Sequence, residues 1–110
     1  MTTTDPAWVP EVCTLPTTEA PARVAEFDDL FATALLGQQR LAPTRLRWRL
    51  DPAAEATARD LVWREADCCS FFTFTVTPEA DAVHVDVEVP AAHADVLVAL
   101  AGRAAAGMRR

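Results

Sequence analysis

Two of the protein's three cysteines stand side by side in the stretch Glu65-Ala66-Asp67-Cys68-Cys69-Ser70-Phe71-Phe72-Thr73-Phe74, where a helical pattern runs into an aromatic strand. Neighbouring cysteines resist bonding to each other, because Cα atoms joined by a trans peptide lie about 3.8 Å apart and a relaxed disulfide wants roughly 4.4 to 6.8 Å. Cys68 and Cys69 are therefore read as free thiols. They close a helix, where the macrodipole is negative, and Glu65 and Asp67 add charge of the same sign. Both effects oppose a thiolate; only Arg64 favours one. Thiols activated for nucleophilic or redox work sit at helix N-termini or beside cations, whereas a soft metal ion brings its own charge and deprotonates the thiols that coordinate it. The chemistry that suits the pair is thiolate ligation of a soft ion. The plainer reading is that both are small core residues, since free cysteine is among the most buried residue types.

Cys13 is distant in sequence, but a short N-terminal strand lying over the end of the second helix would bring it to the pair and complete a three-thiolate site. Structural zinc asks for four tetrahedral ligands, and no CxxC pair or HxxxH spacing supplies them, so zinc requires Glu65 or a histidine to join. Glu65 falls one helical turn before Cys68 and Cys69 on the same face and is the candidate proton donor, although its place near a helix end favours partial exposure. His84 and Asp86 share one face of a strand, a spacing that serves metal binding or acid/base work. A neighbouring arginine stripe explains both more simply as members of an ion-paired exposed face, and His93 reads as a surface residue. With three glycines and no GxGxxG, P-loop or GxSxG, nucleotide-cofactor and serine-hydrolase readings have nothing to rest on.

A chain of 110 residues is long enough for one core. Apolar residues make up 51%, mean hydropathy is +0.08, and no apolar run approaches the roughly 18 residues of a membrane span. The start, Met1-Thr2-Thr3-Thr4-Asp5, has no basic or apolar stretch, so the expectation is a cytoplasmic protein with reduced cysteines. Net charge is −6, with every basic side chain an arginine, and such a balance repels phosphate backbones; direct nucleic-acid binding is not expected.

The elements that must position the cysteines follow from periodicity. Residues 1–10 carry Pro6 and Pro10 and read as a flexible arm, with Trp8 and Val9 able to dock on the body; residues 11–108 form a single domain. Glu11 to Leu15 is a short extended piece. Helical spacing of Val24, Phe27, Leu30, Phe31, Ala34 and Leu35 predicts a helix from Ala22 to about Gln39. Thr44 to Leu50 alternates, with Leu46, Trp48 and Leu50 against Arg45, Arg47 and Arg49. A second helix is expected from about Ala53 to Cys68. Its apolar stripe is thin unless Glu65 and the thiols share a partly polar pocket.

Phe71 to Thr77 and Ala82 to Val89 alternate around the turn Pro78-Glu79-Ala80-Asp81 and predict a hairpin. A last helix runs from Ala91 to about Met108. The expected fold is an α+β two-layer sandwich, a three-stranded antiparallel-rich sheet with three helices on one face. Opposite charges pair across strands and like charges repel, so the strand Ala82–Val89 belongs in the middle.

Cys13-Thr14-Leu15, Ala25-Glu26-Phe27 with Leu30-Phe31, Leu46-Arg47-Trp48 and above all Glu65-x-x-Cys68-Cys69-x-Phe71-Phe72-x-Phe74 resemble a family. It comprises small actinobacterial proteins and a domain at the C-terminus of some mercury-resistance-type (MerR family) regulators. The likeness covers about residues 11 to 101 and implies a heavy-metal context; the regulators' DNA-binding helix-turn-helix is absent here. The leading expectation is binding of Hg(II) or a similar thiophilic ion by Cys13, Cys68 and Cys69, for sensing, buffering or transfer. The enzyme alternative is organomercurial-lyase-like protonolysis with Glu65 or Asp67 as acid, an analogy without an alignable motif. A third reading is a ligand-sensing or dimerisation module, a homodimer included, whose cysteines only pack.

Overall fold

The computed structural model describes the backbone of residues 20–68 and 71–108 and the side chains of all of these save 20–22 and 68. The arm at residues 1–10 and the extended piece at Glu11–Leu15 lie outside the described residues. The architecture is α+β. Helix α1 (Ala20–Ala34) leads into β1 (Leu35–Ala42) and β2 (Arg45–Leu50); α2 (Glu55–Cys68) leads into β3 (Thr73–Pro78) and β4 (Val83–Glu88); α3 (Ala94–Met108) closes the fold. The four strands form one antiparallel sheet in the order β1-β2-β4-β3.

Among the described residues the sheet has four strands where three were expected, because the first helix stops at Ala34 and residues 35–42 leave it to pair with β2. Their sequence, Leu35-Leu36-Gly37-Gln38-Gln39-Arg40-Leu41-Ala42, has no strict alternation and several good helix formers. Local propensity is a weak prior that a paired neighbour overrides. Pro43 and Thr44 make the tight turn between Ala42 and Arg45. The central position of the strand after the hairpin turn is as expected: β4 lies between β2 and β3, with Arg47 opposite Asp86 and Arg45 opposite Glu88. The hairpin is closed by the Glu79 amide donating to the Ala82 carbonyl at 2.8 Å.

Alternation decides which side of the sheet is buried. Leu46, Trp48 and Leu50 stand opposite Val87, Val85 and Val83, all six buried, while the intervening Arg47, His84 and Asp86 are half-buried and Arg45, Arg49 and Glu88 exposed. Against the apolar positions pack Phe27 and Phe31 from α1, Leu61 from α2 and Leu97 and Leu100 from α3. Phe31 meets Trp48 edge-on with ring centroids 4.9 Å apart, an arrangement worth about 0.5–1.5 kcal/mol beyond area burial. The buried Trp48 Nε1 donates to Gln38 Oε1 at 3.2 Å, and Gln38 Nε2 donates on to the Ala101 carbonyl at 2.9 Å. That relay gives β1 a reason to sit where it does, since it satisfies an indole N–H inside the core.

Helix α2 starts where Asp51 Oδ1 accepts the Ala53 amide at 2.9 Å, with Pro52 in the first turn. Pro52–Ala54 and Ala91–His93 are 3-10 turns in front of α2 and α3, so both regular helices begin later than their periodicity suggests.

Candidate functional site

The sequence places its chemistry at the end of α2, where the structure describes both candidate acids, Glu65 and Asp67, in full. Ala58, Leu61, Val62 and Glu65 fall on one helical stripe, and all four are buried, Glu65 to 0% exposure. This corrects the expectation of partial exposure near a helix end. The reason is α1, which lies against that stripe and contributes Arg23, itself only 8% exposed. Arg23 Nη1 donates to Glu65 Oε1 at 2.8 Å. Among the described residues Glu65 Oε2 has no hydrogen-bond partner. Burial pushes the Glu65 carboxyl above its ordinary range, and the hydrogen bond and charge of Arg23 pull against that rise without cancelling it.

Arg23 was missed from the sequence. The signal available was its spacing, four residues before Phe27 on the buried stripe of α1, where an arginine needs an acid in reach.

Cys13 and Cys69 lie outside the described residues, and Cys68 is described only as the last residue of α2. It stands three positions beyond Glu65, one turn further along the helix. Asp67, the other candidate acid, is exposed. Arg64, the cation that the sequence sets near the pair, is engaged by carboxylates among the described residues. Its Nη1 and Nη2 donate to the two oxygens of Glu26 at 3.0 and 2.6 Å, and its Nε donates to Asp60 at 3.0 Å. These bonds hold the Glu26 carboxyl below its ordinary range. Both helices are thus cross-linked at this end, by Arg23 to Glu65 and Arg64 to Glu26.

The aromatic run that follows the cysteines in sequence forms a chain of ring contacts. Phe72 is buried, with its ring 4.5 Å from Phe71 and 5.2 Å from Phe74, and Phe71 stacks on His93 at 4.4 Å. His93 is therefore half-buried against a phenylalanine and not a simple surface residue. The strand begins at Thr73, two residues later than its alternation suggests, because Phe71 belongs to this stack.

His84 and Asp86 are on the polar side of the sheet, as the plainer reading had it. Arg47 holds Asp86 through two hydrogen bonds, Nε to Oδ1 at 2.7 Å and Nη2 to Oδ2 at 2.9 Å, which keep that carboxyl below its ordinary range. His84 Nδ1 is 3.9 Å from Glu79. Among the described residues no three His, Cys, Asp or Glu side chains gather into a set that could hold a metal ion, and no helix is long and apolar enough to cross a membrane.

Comparisons of the chain with protein-family models, with characterised proteins and with solved structures return no match.

Proposed function

We propose that the protein binds a soft, thiophilic metal ion, Hg(II) before zinc, through the thiolates of Cys68 and Cys69 with Cys13 as third ligand, in the service of sensing, buffering or transfer. The observation that carries this reading is Glu65, fully buried one turn before Cys68, with one carboxylate oxygen unpaired among the described residues. An unpaired buried acceptor costs on the order of 1–3 kcal/mol, more when it is charged. A nearby cation, or a thiol S–H that donates until the metal displaces its proton, would remove that cost. Arg64, fully engaged by acids, gives the thiols no activation of their own, which favours a ligand role over a nucleophilic one.

The burial of Glu65 also favours a second reading, carbon–mercury protonolysis. In that step the carbon–mercury bond breaks, its electron pair takes a proton from Glu65, the hydrocarbon leaves and Hg(II) remains on the thiolates. Only a carboxyl kept protonated near neutral pH can act so, and burial moves Glu65 in that direction. The reading of the cysteines as packing residues of a sensing or dimerisation module is the outcome if neither holds. We place the protein in the cytoplasm without a nucleic-acid partner, in line with its charge of −6. We further read the fold as a two-layer sandwich with the three helices over the apolar face of the sheet, on the strength of the burial alternation in β2 and β4.

The test is an anaerobic titration of the reduced protein with Hg(II). Ligand-to-metal absorption in the ultraviolet should saturate near one ion per chain, with release of protons and a rise in melting temperature. Absence of all three changes at saturating ion removes the metal reading. Release of hydrocarbon from an organomercurial under excess thiol would move the assignment to the enzyme.

A further inference from the structure

The polar side of the sheet carries a cavity of about 250 Å³ lined by Gly37, Gln38 and Gln39 of β1, Arg47 and Arg49 of β2 and His84 of β4. The register sets Gly37, Arg49 and His84 in one row across the three strands, with Gln39, Arg47 and Asp86 in the row beside it. Asp86 fixes the Arg47 guanidinium through Nε and Nη2, and Nη1 makes no bond among the described residues. Arg49 donates no hydrogen bond among the described residues; its ion pair there is with Asp81 at 3.6 Å, a side chain 81% exposed. A pair so exposed is worth little, and another carboxylate can take its place. Gly37 has no conformational reason to be glycine. The bulge between Leu35 and Gly37 asks no left-handed backbone of it, and a Cβ there would meet nothing within 4 Å. Glycine weakens a strand, and it often marks a place where a ligand approaches the backbone closely.

We propose that this cavity binds a small organic monocarboxylate, with the carboxylate on Arg49 and the remaining Nη1 of Arg47 and the body of the molecule over Gly37, between Gln39 and His84. Guanidinium groups match the planar geometry of a carboxylate and bond it more strongly than neutral donors do. Charge selects a monoanion. Arg47 and Asp86 cancel, so the site offers the single charge of Arg49 once Asp81 is displaced, and a dianion would be left half neutralised. Size selects a small molecule, since the cavity falls below the roughly 300–1,000 Å³ of sites for drug-sized ligands. Gln39 and the ring of His84 add neutral hydrogen-bonding groups at the sides. The site uses none of the cysteines and stands apart from the ion-binding reading.

Amide chemical-shift titrations of the full-length, reduced, metal-free protein at low salt test it, with benzoate and butyrate as probes, benzamide as the uncharged control and inorganic phosphate as the rival anion. At least one of the two acids should move the amides of Gly37, Gln39, Arg49 and His84 to saturation, with a Kd on the order of 1 mM, and benzamide should not. Arg49→Gln should weaken that binding at least about tenfold, as loss of a charge-assisted hydrogen bond requires. Gly37→Val should weaken it as much by filling the space over the strand, while raising the melting temperature, because a β-branched residue suits a strand better than glycine. Shifts that do not saturate with either acid by about 20 mM, over ten times the expected Kd, overturn the proposal, as does binding that survives Arg49→Gln or Gly37→Val. Tighter binding of phosphate than of both acids overturns it too, since the site then takes a different class of anion.

Discussion

Arg23 of α1 and Glu65 of α2, 42 positions apart, meet at 2.8 Å with their side chains 9% and 1% exposed. Two opposite charges are removed from water together near the end of α2, with Glu65 one helical turn before Cys68. Their mutual attraction offsets a desolvation cost of several kcal/mol per ion only while both are present.

Removing one partner should therefore be far worse than removing both. Arg23→Met or Glu65→Leu alone should lower stability by about 3–5 kcal/mol, while the double replacement should be near neutral or stabilising. Denaturant titrations of the four proteins form the cycle that measures it. Single replacements that cost no more than the double one would mean that the pair is solvated.

Stability should fall as pH rises through the titration of Glu65. Its folded-state pKa lies above the ordinary carboxylate value. The unfolded chain thus releases the proton first, and the folded state is favoured fully only below the unfolded value, losing that advantage as pH rises to the folded one. Glu65→Gln should flatten this part of a melting-temperature profile against pH.

Asp86 has the opposite sign. Arg47 holds its pKa below the ordinary value, so its contribution is present above the unfolded pKa and disappears as pH falls through the folded one. Asp86→Asn should remove that acid-side loss, and the same melting profile carried to lower pH reads it.

Replacing Cys68 or Cys69 by Ser should each weaken Hg(II) binding strongly under the proposed three-thiolate site. Cys13→Ser should weaken it only if the N-terminal segment reaches the pair. Competition titrations against a small dithiol separate the cases; an unchanged affinity for Cys13→Ser reduces the site to a two-thiol clamp.

Two glycines of α3 should respond in opposite directions to alanine. A Cβ at Gly107 would stand 2.6 Å from the Phe31 Cβ and 3.2 Å from its carbonyl carbon, whereas nothing lies within 4 Å of one at Gly102. Gly107→Ala should cost about 1–3 kcal/mol by overpacking α1 against α3. Gly102→Ala, at an exposed helix position, should stabilise by up to about 1 kcal/mol. Thermal melts of both variants check the pair.

Periodicity by itself determined most of the fold. The alternation of residues 44–50 and 82–89, the helical stripes and the turn at 78–81 each specify an element, because side chains on a strand or helix can bury only at one period. Charge complementarity went further and placed β4 between β2 and β3, since the arginine stripe of Arg45, Arg47 and Arg49 calls for the acids Asp86 and Glu88 beside it; the pairing of Arg47 with Asp86 is what the structure adds. Residues 35–42 carry no such period; only the partner strand β2 and the Trp48 N–H waiting for Gln38 make them a strand. The adjacency of Cys68 and Cys69 and the turn that separates them from Glu65 are likewise properties of the chain. Whether Glu65 was a solvated acid or a buried one was decided by the packing of α1, 42 residues away in sequence, which closed over it and brought Arg23 as its counter-ion. Burial of a charge depends on what covers it, and the cover comes from another part of the chain.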